Sequence, residues 1–431
     1  MRVLFRFGRG LSAAASLLIA ACAGSPADEP RVLVEPAAEA AASLPMESRS
    51  ATLRQAARSL DTLFALPPDA TPAASAVAAA LRDVRNGRLT DALLTLAPVA
   101  VYTDSAADIA RAMLGELLLH HRQWAALAGA PGGAGPLFAA FAQAPPEEWS
   151  FLAEPAVLPL EVTAVGTPVV DVVVNGITHA FWIDTGAGLT VLSSELAAKA
   201  GVSVGDPGAT AGTSTSRDVA TRPAIIEELR IGPVVVRNHP AIVIDAADLR
   251  FQDPELPGGE IEIHGILGWP IIRELDLTID FAGRRLTVQR PAERAASPQN
   301  FFWLGYPAIA ARAENGRPLL LGLDTGAARS FLTPGFLAAA GVRPSGTRSR
   351  RVGGAGGFET MNVQTLDSAS LLVDGWRLRF RDIDVHDQNV SSSLDLDGVL
   401  GSDIAAGRAL RLDFRNGRFE LLQPSSGSAH L

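Results

Sequence analysis

FWIDTGA, at residues 181–187, recurs as LGLDTGA at residues 321–327. Each copy is an apolar run that ends in one aspartate, Asp184 or Asp324, and continues into a Thr-Gly turn. A single Asp-Thr-Gly triplet carries little information, because Asp and Gly are common turn residues. Two copies, each behind an apolar strand and before a second apolar run, indicate that one structural unit occurs twice.

The residues around the two triplets repeat as well. Asn-Gly pairs at 175–176 and 315–316 lie nine residues before the aspartates, and such a pair between extended segments predicts a β-hairpin. Two Ala-Gly-Val segments have their glycines 341 − 201 = 140 residues apart. Two Leu-Gly pairs end 401 − 268 = 133 residues apart, so the second copy is seven residues shorter in its middle.

This combination resembles the retropepsin-like aspartic peptidases. Their pattern is an apolar-apolar-Asp-Thr-Gly-Ala loop, an Ala-Gly-Val segment, a glycine-rich flap and an apolar-Leu-Gly strand. Ala187 and Ala327 follow the triplets as in the retroviral type, whereas pepsin-like triplets usually continue with Ser or Thr. The resemblance implies a mainly β fold, in which two retropepsin-like β-barrel lobes, at 155–290 and 299–424, pair as a pseudo-dimer.

The N-terminus has the features of a bacterial lipoprotein. Three arginines precede an apolar stretch at 11–21 that is too short for an ordinary membrane span, and residues 19–22 read Ile-Ala-Ala-Cys. We predict a signal peptide at 1–21 and lipidation of Cys22, the only cysteine. The lipid alone would hold the chain in the cell envelope. Since Ala23 rather than Asp follows the cysteine, we expect the outer membrane, facing the periplasm; a plain signal peptide is the alternative.

The region between this N-terminus and the first lobe changes in composition. Residues 22–46 are rich in Ala, Pro, Glu and Ser, which predicts a flexible linker. Apolar residues then recur at helical spacing, so residues 47–145 are predicted to form a small α-helical domain that docks or positions the lobes. Its paired helices faintly resemble tetratricopeptide hairpins, and a small irregular helical domain is an equal alternative.

Peptide hydrolysis without a metal or a covalent intermediate needs an activated water molecule, which two neighbouring carboxyl groups can provide. They do not both ionise cheaply, so they share one proton; the charged member takes a proton from water and the other donates to the carbonyl oxygen. The resemblance assigns these roles jointly to Asp184 and Asp324. It also implies that Thr185 and Thr325 hydrogen-bond across the two loops.

The remaining loop residues support the carboxyl groups. Gly186 and Gly326 let backbone N–H groups approach them. Ala187 and Ala327 have no hydroxyl to donate to a carboxylate, so we expect the pKa values of the pair to be less depressed than in pepsin-type enzymes. The resulting pH optimum is about 5 to 6.5. Two structural Asx turns in a duplicated β domain are the alternative without catalysis.

A glycine-rich stretch begins 353 − 324 = 29 residues after the second aspartate, where a retropepsin flap would lie. The predicted flap residues are Gly353, Gly354, Ala355, Gly356 and Gly357, with Gly212, Thr213 and Ser214 as their counterparts in the first copy. Such residues permit a mobile hairpin whose backbone grips an extended substrate, although an ordinary surface loop is the alternative. Neither of the two tyrosines, Tyr102 and Tyr306, lies in a flap, so Phe358 or the backbone alone would replace the pepsin-type tyrosine.

Composition narrows the possible partners. The chain has 37 basic and 46 acidic residues and a net charge of −9, with one short basic group at 348–351, which argues against nucleic-acid binding. The seven histidines have no metal-ligand spacing, and we expect neither metal nor cofactor. We therefore predict a monomeric aspartic endopeptidase that acts on polypeptides. A non-catalytic, peptide-binding envelope lipoprotein with the same fold is the alternative.

Overall fold

The computed structural model describes residues 31–37, 47–130, 134–213, 218–252, 259–293, 299–387 and 390–423. The predicted signal peptide, Cys22 and Ser214 lie outside these residues. The described part is mainly β, with two β lobes preceded by a small α-helical domain, which confirms the predicted fold class. None of its helices is long and apolar enough to cross a membrane.

Where the structure describes it, the N-terminal part comprises one strand and six helices: β1 (Val32–Pro36), α1 (Leu53–Ser59), α2 (Pro72–Arg85), α3 (Leu89–Leu96), α4 (Ser105–His120), α5 (Trp124–Ala128) and α6 (Gly135–Ala142). Three helix starts follow from the sequence, because Thr52, Thr71 and Asp104 each accept a backbone N–H bond as N-caps of α1, α2 and α4. Helices α1–α4 share an apolar core with lobe 2, whereas α5 and α6 share one with lobe 1. The helical domain therefore contacts both lobes.

Lobe 1 contains fourteen strands and two helices within the described residues. They are β2 (Glu148–Phe151), β3 (Ala156–Pro159), β4 (Glu161–Val162), β5 (Pro168–Val174), β6 (Ile177–Ile183), β7 (Thr190–Ser193), α7 (Ser194–Lys199), β8 (Ala209–Gly212), β9 (Asp218–Ile231), β10 (Val234–Ile244), β11 (Arg250–Gln252), β12 (Glu260–Glu262), β13 (Gly265–Leu267), α8 (Trp269–Ile272), β14 (Asp276–Asp280) and β15 (Arg285–Gln289). A 3₁₀ turn at Ala246–Leu249 lies between β10 and β11.

Lobe 2 repeats this order in a shorter form. Its elements are β16 (Phe301–Trp303), β17 (Pro307–Ala313), β18 (Pro318–Leu323), β19 (Phe331–Leu332), α9 (Pro334–Ala340), β20 (Gly346–Gly354), β21 (Gly357–Val373), β22 (Trp376–Val385), β23 (Gly398–Leu400), β24 (Ala409–Asp413) and β25 (Arg418–Leu422). Short 3₁₀ turns at Ser402–Ala405 and Phe414–Asn416 flank β24.

The two main sheets match strand for strand. Lobe 1 has the order β2-β10-β7-β13-β6-β5-β9-β8, with β4 on β5; lobe 2 has β1-β22-β19-β23-β18-β17-β21-β20, with β16 on β17. A separate five-stranded sheet, β25-β24-β14-β15-β3, joins the lobes because β14 pairs with β24. One apolar core runs through both lobes and this shared sheet. The lobes are therefore joined by backbone pairing as well as by side-chain packing.

Two edge strands correct the predicted boundaries. β1 lies within residues 22–46, predicted to be a flexible linker, yet it pairs with β22 along its whole length. β2 lies before residue 155, the predicted start of lobe 1, and pairs with β10. Both segments are short, and the Ala-, Pro- and Glu-rich composition around β1 conceals its Val-Leu-Val run. Their positions are equivalent, since each covers the same edge of its own sheet.

The two predicted Asn-Gly hairpins differ in the structure. Asn175 and Gly176 both have positive φ, 46° and 85°, and join β5 to β6 as a two-residue turn. In the β17–β18 hairpin only Gly316 has positive φ, and the loop is longer, since Arg312 pairs with Pro318. Both asparagines nevertheless bond the end of the following helix, through Ala200 O and Ala339 O.

Candidate active site

The predicted aspartates lie at the ends of matching strands, β6 and β18. Each strand pairs in parallel with a Leu-Gly strand, β13 or β23. The last residues of these strands accept the aspartate N–H groups, from Asp184 to Leu267 O at 3.1 Å and from Asp324 to Leu400 O at 2.9 Å. The Leu-Gly segments thus hold the backbone in place where it leaves β6 and β18 and enters the two Asp-Thr-Gly loops.

The two carboxyl groups are brought together in the interior. Asp184 is fully buried and Asp324 is 2% exposed. A Cβ atom placed on Gly186 would lie 2.7 Å from Asp324 Oδ2, and one on Gly326 would lie 2.5 Å from Asp184 Cγ. Each loop glycine thus packs directly against the carboxyl group of the other lobe, which only a residue without a side chain permits.

Backbone donors hold one oxygen of each carboxyl group. Asp184 Oδ1 accepts N–H bonds from Gly186 at 2.8 Å and from Ala187 at 3.1 Å, and Asp324 Oδ1 accepts one from Ala327 at 3.0 Å. The alanines of the motif therefore contribute their backbone to the site rather than their side chains.

The two threonines exchange hydrogen bonds between the lobes. Thr185 N donates to Thr325 Oγ1 at 3.1 Å, and Thr325 N donates to Thr185 Oγ1 at 3.0 Å. Each hydroxyl in turn donates to the opposite strand end, Thr185 to Leu323 O at 2.8 Å and Thr325 to Ile183 O at 2.7 Å. All four groups are buried, so these bonds fix the spacing of the loops in the way that the resemblance implies.

The family model described as "Aspartyl protease" matches residues 170–271 and 310–404, which is one match in each lobe. Each β lobe is thus similar to the aspartyl protease family, over 102 residues in lobe 1 and 95 residues in lobe 2. A retropepsin-like aspartic protease from Rickettsia conorii is similar in structure over 33% of this chain and 92% of its own length, at 18% identity and a TM-score of 0.21. A comparison with curated proteins found no match.

One side chain of this retropepsin-like site was not predicted from the sequence. The Tyr306 hydroxyl, on the turn between β16 and β17, donates to Asp324 Oδ2 at 3.1 Å. Asp184 Oδ2 is also buried, but it has no partner from outside the aspartate pair within the described residues. The residues that directly follow each triplet supply no hydroxyl, as expected, but Tyr306, which lies 18 residues before Asp324, supplies one.

Burial and mutual repulsion shift the pKa values of this retropepsin-like pair. Burial raises the pKa of Asp184 well above its usual range, and the neighbouring Asp324 raises it further. Burial also raises the pKa of Asp324, to about 6, while the Ala327 N–H and the Tyr306 hydroxyl oppose this rise. Burial and the two aspartates raise the pKa of the Tyr306 phenol, so it stays protonated as a donor. The arrangement favours a proton on Asp184 and a charge on Asp324.

The flap predicted in lobe 2 is the hairpin of β20 and β21, with Ala355-Gly356 as its turn. Ala355 is fully buried, and Gly356 N donates to Asp248 O at 2.7 Å, on the 3₁₀ turn of lobe 1. Phe358 packs edge-to-face on Phe251 with ring centroids 5.3 Å apart. The lobe 2 flap therefore reaches across to lobe 1 instead of projecting as an ordinary surface loop.

The other predicted sites are only partly described. Gly212 ends β8 and Thr213 follows it, whereas Ser214 lies outside the described residues. Cys22 also lies outside them. Among the residues that the structure describes, no group of His, Cys, Asp and Glu side chains is arranged to hold a metal ion.

Proposed function

We propose that the protein is an aspartic endopeptidase in which one water molecule is activated between Asp184 and Asp324. The observation that carries this proposal is the pair of buried carboxyl groups, each packed on the loop glycine of the other lobe. Two carboxyl groups in one buried site share a proton, which is the state required for general acid–base hydrolysis. Polypeptides are the expected substrates.

The roles of the two aspartates follow from their surroundings. Asp324 has the lower pKa of the pair and acts as the base that takes a proton from the attacking water. Asp184 holds its proton and donates it to the carbonyl oxygen of the scissile bond. The pair titrates as a unit, so its activity window lies between two macroscopic pKa values of the pair.

A single chain is proposed to form the complete site. The threonine exchange joins the two loops, and the pairing of β14 with β24 joins the lobes behind them. Each lobe supplies one aspartate, as each copy would in a two-fold dimer of single-lobe relatives. We accordingly expect the enzyme to work as a monomer.

The proposal is tested by incubating the protein with a reduced, unfolded protein substrate, with and without a statine-type transition-state mimic. Cleavage that the mimic blocks, and that Asp184→Asn or Asp324→Asn each abolishes, is the expected result. Circular dichroism should show that both variants remain folded. Cleavage that survives either substitution, or that the mimic leaves unchanged, contradicts the two-aspartate mechanism.

We also propose that Cys22 carries lipid and tethers the enzyme to the envelope, at the outer membrane facing the periplasm. The support is the Arg-rich start, the short apolar stretch and the Ile-Ala-Ala-Cys sequence at 19–22. Cys22→Ser should release the protein from the membrane fraction of cells. An unchanged distribution between membrane and soluble fractions contradicts the lipid anchor.

A further inference from the structure

The two lobes differ at one pair of facing positions beside the aspartates. In lobe 1, Val169 pairs with Trp182; in lobe 2, Ala308 pairs with Gly322. The residue two places before Val169 is Thr167, and the residue two places before Ala308 is Tyr306. Lobe 1 thus has a small side chain at Thr167 and a large one at Trp182. Lobe 2 has a large side chain at Tyr306 and no side chain at Gly322.

The exchange of sizes has a steric reason in lobe 2. A Cβ atom on Gly322 would lie 2.8 Å from Tyr306 Cε1, closer than real Cβ contacts allow. The tyrosine ring is 2% exposed and fills this space. Gly322 therefore makes room for a ring that the first copy of the repeat does not have at this position.

The hydroxyl groups at the two equivalent positions go to different acceptors. Thr167 Oγ1 donates to the backbone carbonyl of Gly326 at 3.2 Å. Tyr306 OH reaches farther and donates to Asp324 Oδ2 at 3.1 Å. The small Thr167 therefore bonds the loop backbone, whereas the larger Tyr306 bonds a carboxyl group.

The turn that carries Tyr306 is held by the helical domain. Gly305 has φ +76°, and a Cβ atom there would lie 2.6 Å from Glu116 Cδ on α4. The Glu116 carboxyl group accepts hydrogen bonds from the hydroxyls of Ser392 and Ser393. Helices α1–α4 and Tyr306 belong to the same apolar core. The position of the phenol is therefore set before substrate binds.

We propose that Tyr306 is a positioning residue that fixes which aspartate is charged: its hydroxyl holds Asp324 as the ionised member, so that Asp184 carries the shared proton. This rests on the proposed peptidase function. A hydrogen bond from a neutral donor stabilises the charged form of a carboxyl group more than its neutral form. Asp184 has no equivalent side-chain donor within the described residues, so the bond makes the two members unequal.

Among the residues that the structure describes, few other titratable groups lie near the two aspartates. Asp184 and Tyr306 act on Asp324 directly. Glu116 stands behind Gly305, and burial raises its pKa, which favours its neutral form. Asp403, on the 3₁₀ turn after β23, is bonded by the backbone and hydroxyl of Ser330, and burial raises its pKa as well. The Tyr306 bond is therefore the side-chain contact from outside the pair that separates the two aspartates.

The first test is the pH dependence of kcat/KM for Tyr306→Phe, which removes only the hydroxyl. Its acid limb should move up by about one pH unit, because charging Asp324 loses a hydrogen bond. The alkaline limb should stay in place, because that step ionises Asp184 in both proteins. Gly322→Ala, which pushes the ring away without removing it, should move the same limb in the same direction.

Two matched controls separate this role from a general effect of packing. Tyr102→Phe alters the only other tyrosine, which is 43% exposed on the helical domain, and should leave both limbs unchanged. Thr167→Val removes the equivalent hydroxyl of lobe 1, whose acceptor is a backbone carbonyl, and should leave the acid limb in place even if the rate falls. An acid limb that stays put in both Tyr306→Phe and Gly322→Ala, or that moves equally in Thr167→Val, overturns the proposal.

The second test needs no activity and so distinguishes failure of this inference from failure of the peptidase function. The pKa of Asp324 lies above its unfolded value, so stability is lost as pH rises through the interval between the two values. Tyr306→Phe should raise the folded-state pKa and enlarge the loss of stability between pH 4 and pH 7. In an Asp324→Asn background the same substitution should leave this pH dependence unchanged. If Tyr306→Phe changes the pH dependence of stability equally in the wild-type and Asp324→Asn backgrounds, the proposed action of Tyr306 on Asp324 is wrong, whether or not any variant cleaves peptides.

Discussion

Lobe 1 and lobe 2 present the same Asp-Thr-Gly-Ala loop on the same strands, but the two loops have different neighbours. In lobe 1, Trp182 precedes the loop, and Asp184 is bonded by backbone N–H groups. In lobe 2, Gly322 leaves space for Tyr306, whose hydroxyl bonds Asp324. The motif residues are therefore arranged with two-fold symmetry, while the residues behind them are not.

A second difference lies at the other end of the same strands. His264 precedes β13 in lobe 1, is 30% exposed, and its ring is tilted against the ring of His179, with the centroids 4.7 Å apart. Asp397 precedes β23 in lobe 2, is buried, and binds Arg49 of the N-terminal segment. Duplication thus supplies a symmetric frame, but the two halves differ because Asp397 binds Arg49 where lobe 1 has His264. In the proposed mechanism one carboxyl group acts as the acid and the other as the base, and unequal surroundings suit these two roles.

The largest effect on activity is expected from a substitution in the Asp-Thr-Gly loops, which the two lobes share. Gly326→Ala would place a Cβ atom 2.5 Å from Asp184 Cγ and displace that carboxyl group. Because the end of a side chain can move, the fold should survive while kcat/KM falls by about 100-fold or more.

Gly188→Ala is the matched control in the equivalent loop, because nothing lies within 4 Å of its Cβ position. It should keep the rate within about threefold, because the added methyl group meets no neighbouring atom. Peptide cleavage and circular dichroism measure both outcomes. A Gly326→Ala enzyme with a rate near that of Gly188→Ala would mean that the carboxyl groups are not held at this spacing.

A smaller effect, on stability, is expected from breaking the ion pair between Arg49 and Asp397 of lobe 2. Arg49→Ala leaves the buried Asp397 without its cation and should lower the free energy of unfolding by about 2 kcal/mol, less than for a fully buried pair because Arg49 is 28% exposed. Burial raises the pKa of Asp397 and Arg49 opposes that rise. Without Arg49 the pKa rises further, so the loss of stability should be greater at pH 7 than at pH 4.

Denaturant unfolding at the two pH values measures this loss. Arg54→Ala, at an exposed position of α1, should change the free energy of unfolding by less than about 0.5 kcal/mol. Equal losses for Arg49→Ala at pH 4 and pH 7 would contradict the account of Asp397.

The smallest effect concerns the lobe 2 flap. Phe251→Leu removes the edge-to-face contact with Phe358 that accompanies the bond from Gly356 to Asp248. Such ring pairs contribute about 0.5–1.5 kcal/mol, so hydrogen exchange of amides 352–358 should accelerate by about 2- to 10-fold. Phe151→Leu, on the edge strand β2, should leave that exchange unchanged. Exchange that is equally fast in both variants would show that Phe251 does not restrain the flap.

The duplication and the residues of both triplets are predictable from the sequence, because these features are local and occur twice, while the mainly β fold with two lobes is implied by the family resemblance. Strand periodicity and the Asp-Thr-Gly turns depend on neighbouring residues, and duplication confirms each pattern with a second copy. The cross-lobe bonds of Thr185 and Thr325 were expected from the resemblance rather than from spacing.

The missed features depend on contacts between distant segments. Tyr306 is adjacent to Asp324 only after β17 and β18 pair, and its signal was the contrast between Gly322 and Trp182 in the aligned copies. β1 was concealed by the composition around it, although Val32 pairs with Phe380, far along the chain. Edge strands and buried polar contacts of this kind follow from the tertiary fold, which no local pattern specifies.

The central claim is that the two lobes of one chain form one active site, and a mixing experiment tests it most directly. Asp184→Asn and Asp324→Asn are each assayed for cleavage of an unfolded protein, alone and after being mixed and refolded together, beside wild type over a range of dilutions. The account predicts no cleavage by either variant or by their mixture, and a wild-type rate per molecule that is independent of dilution. Cleavage that returns on mixing, or that persists in either variant alone, would contradict it.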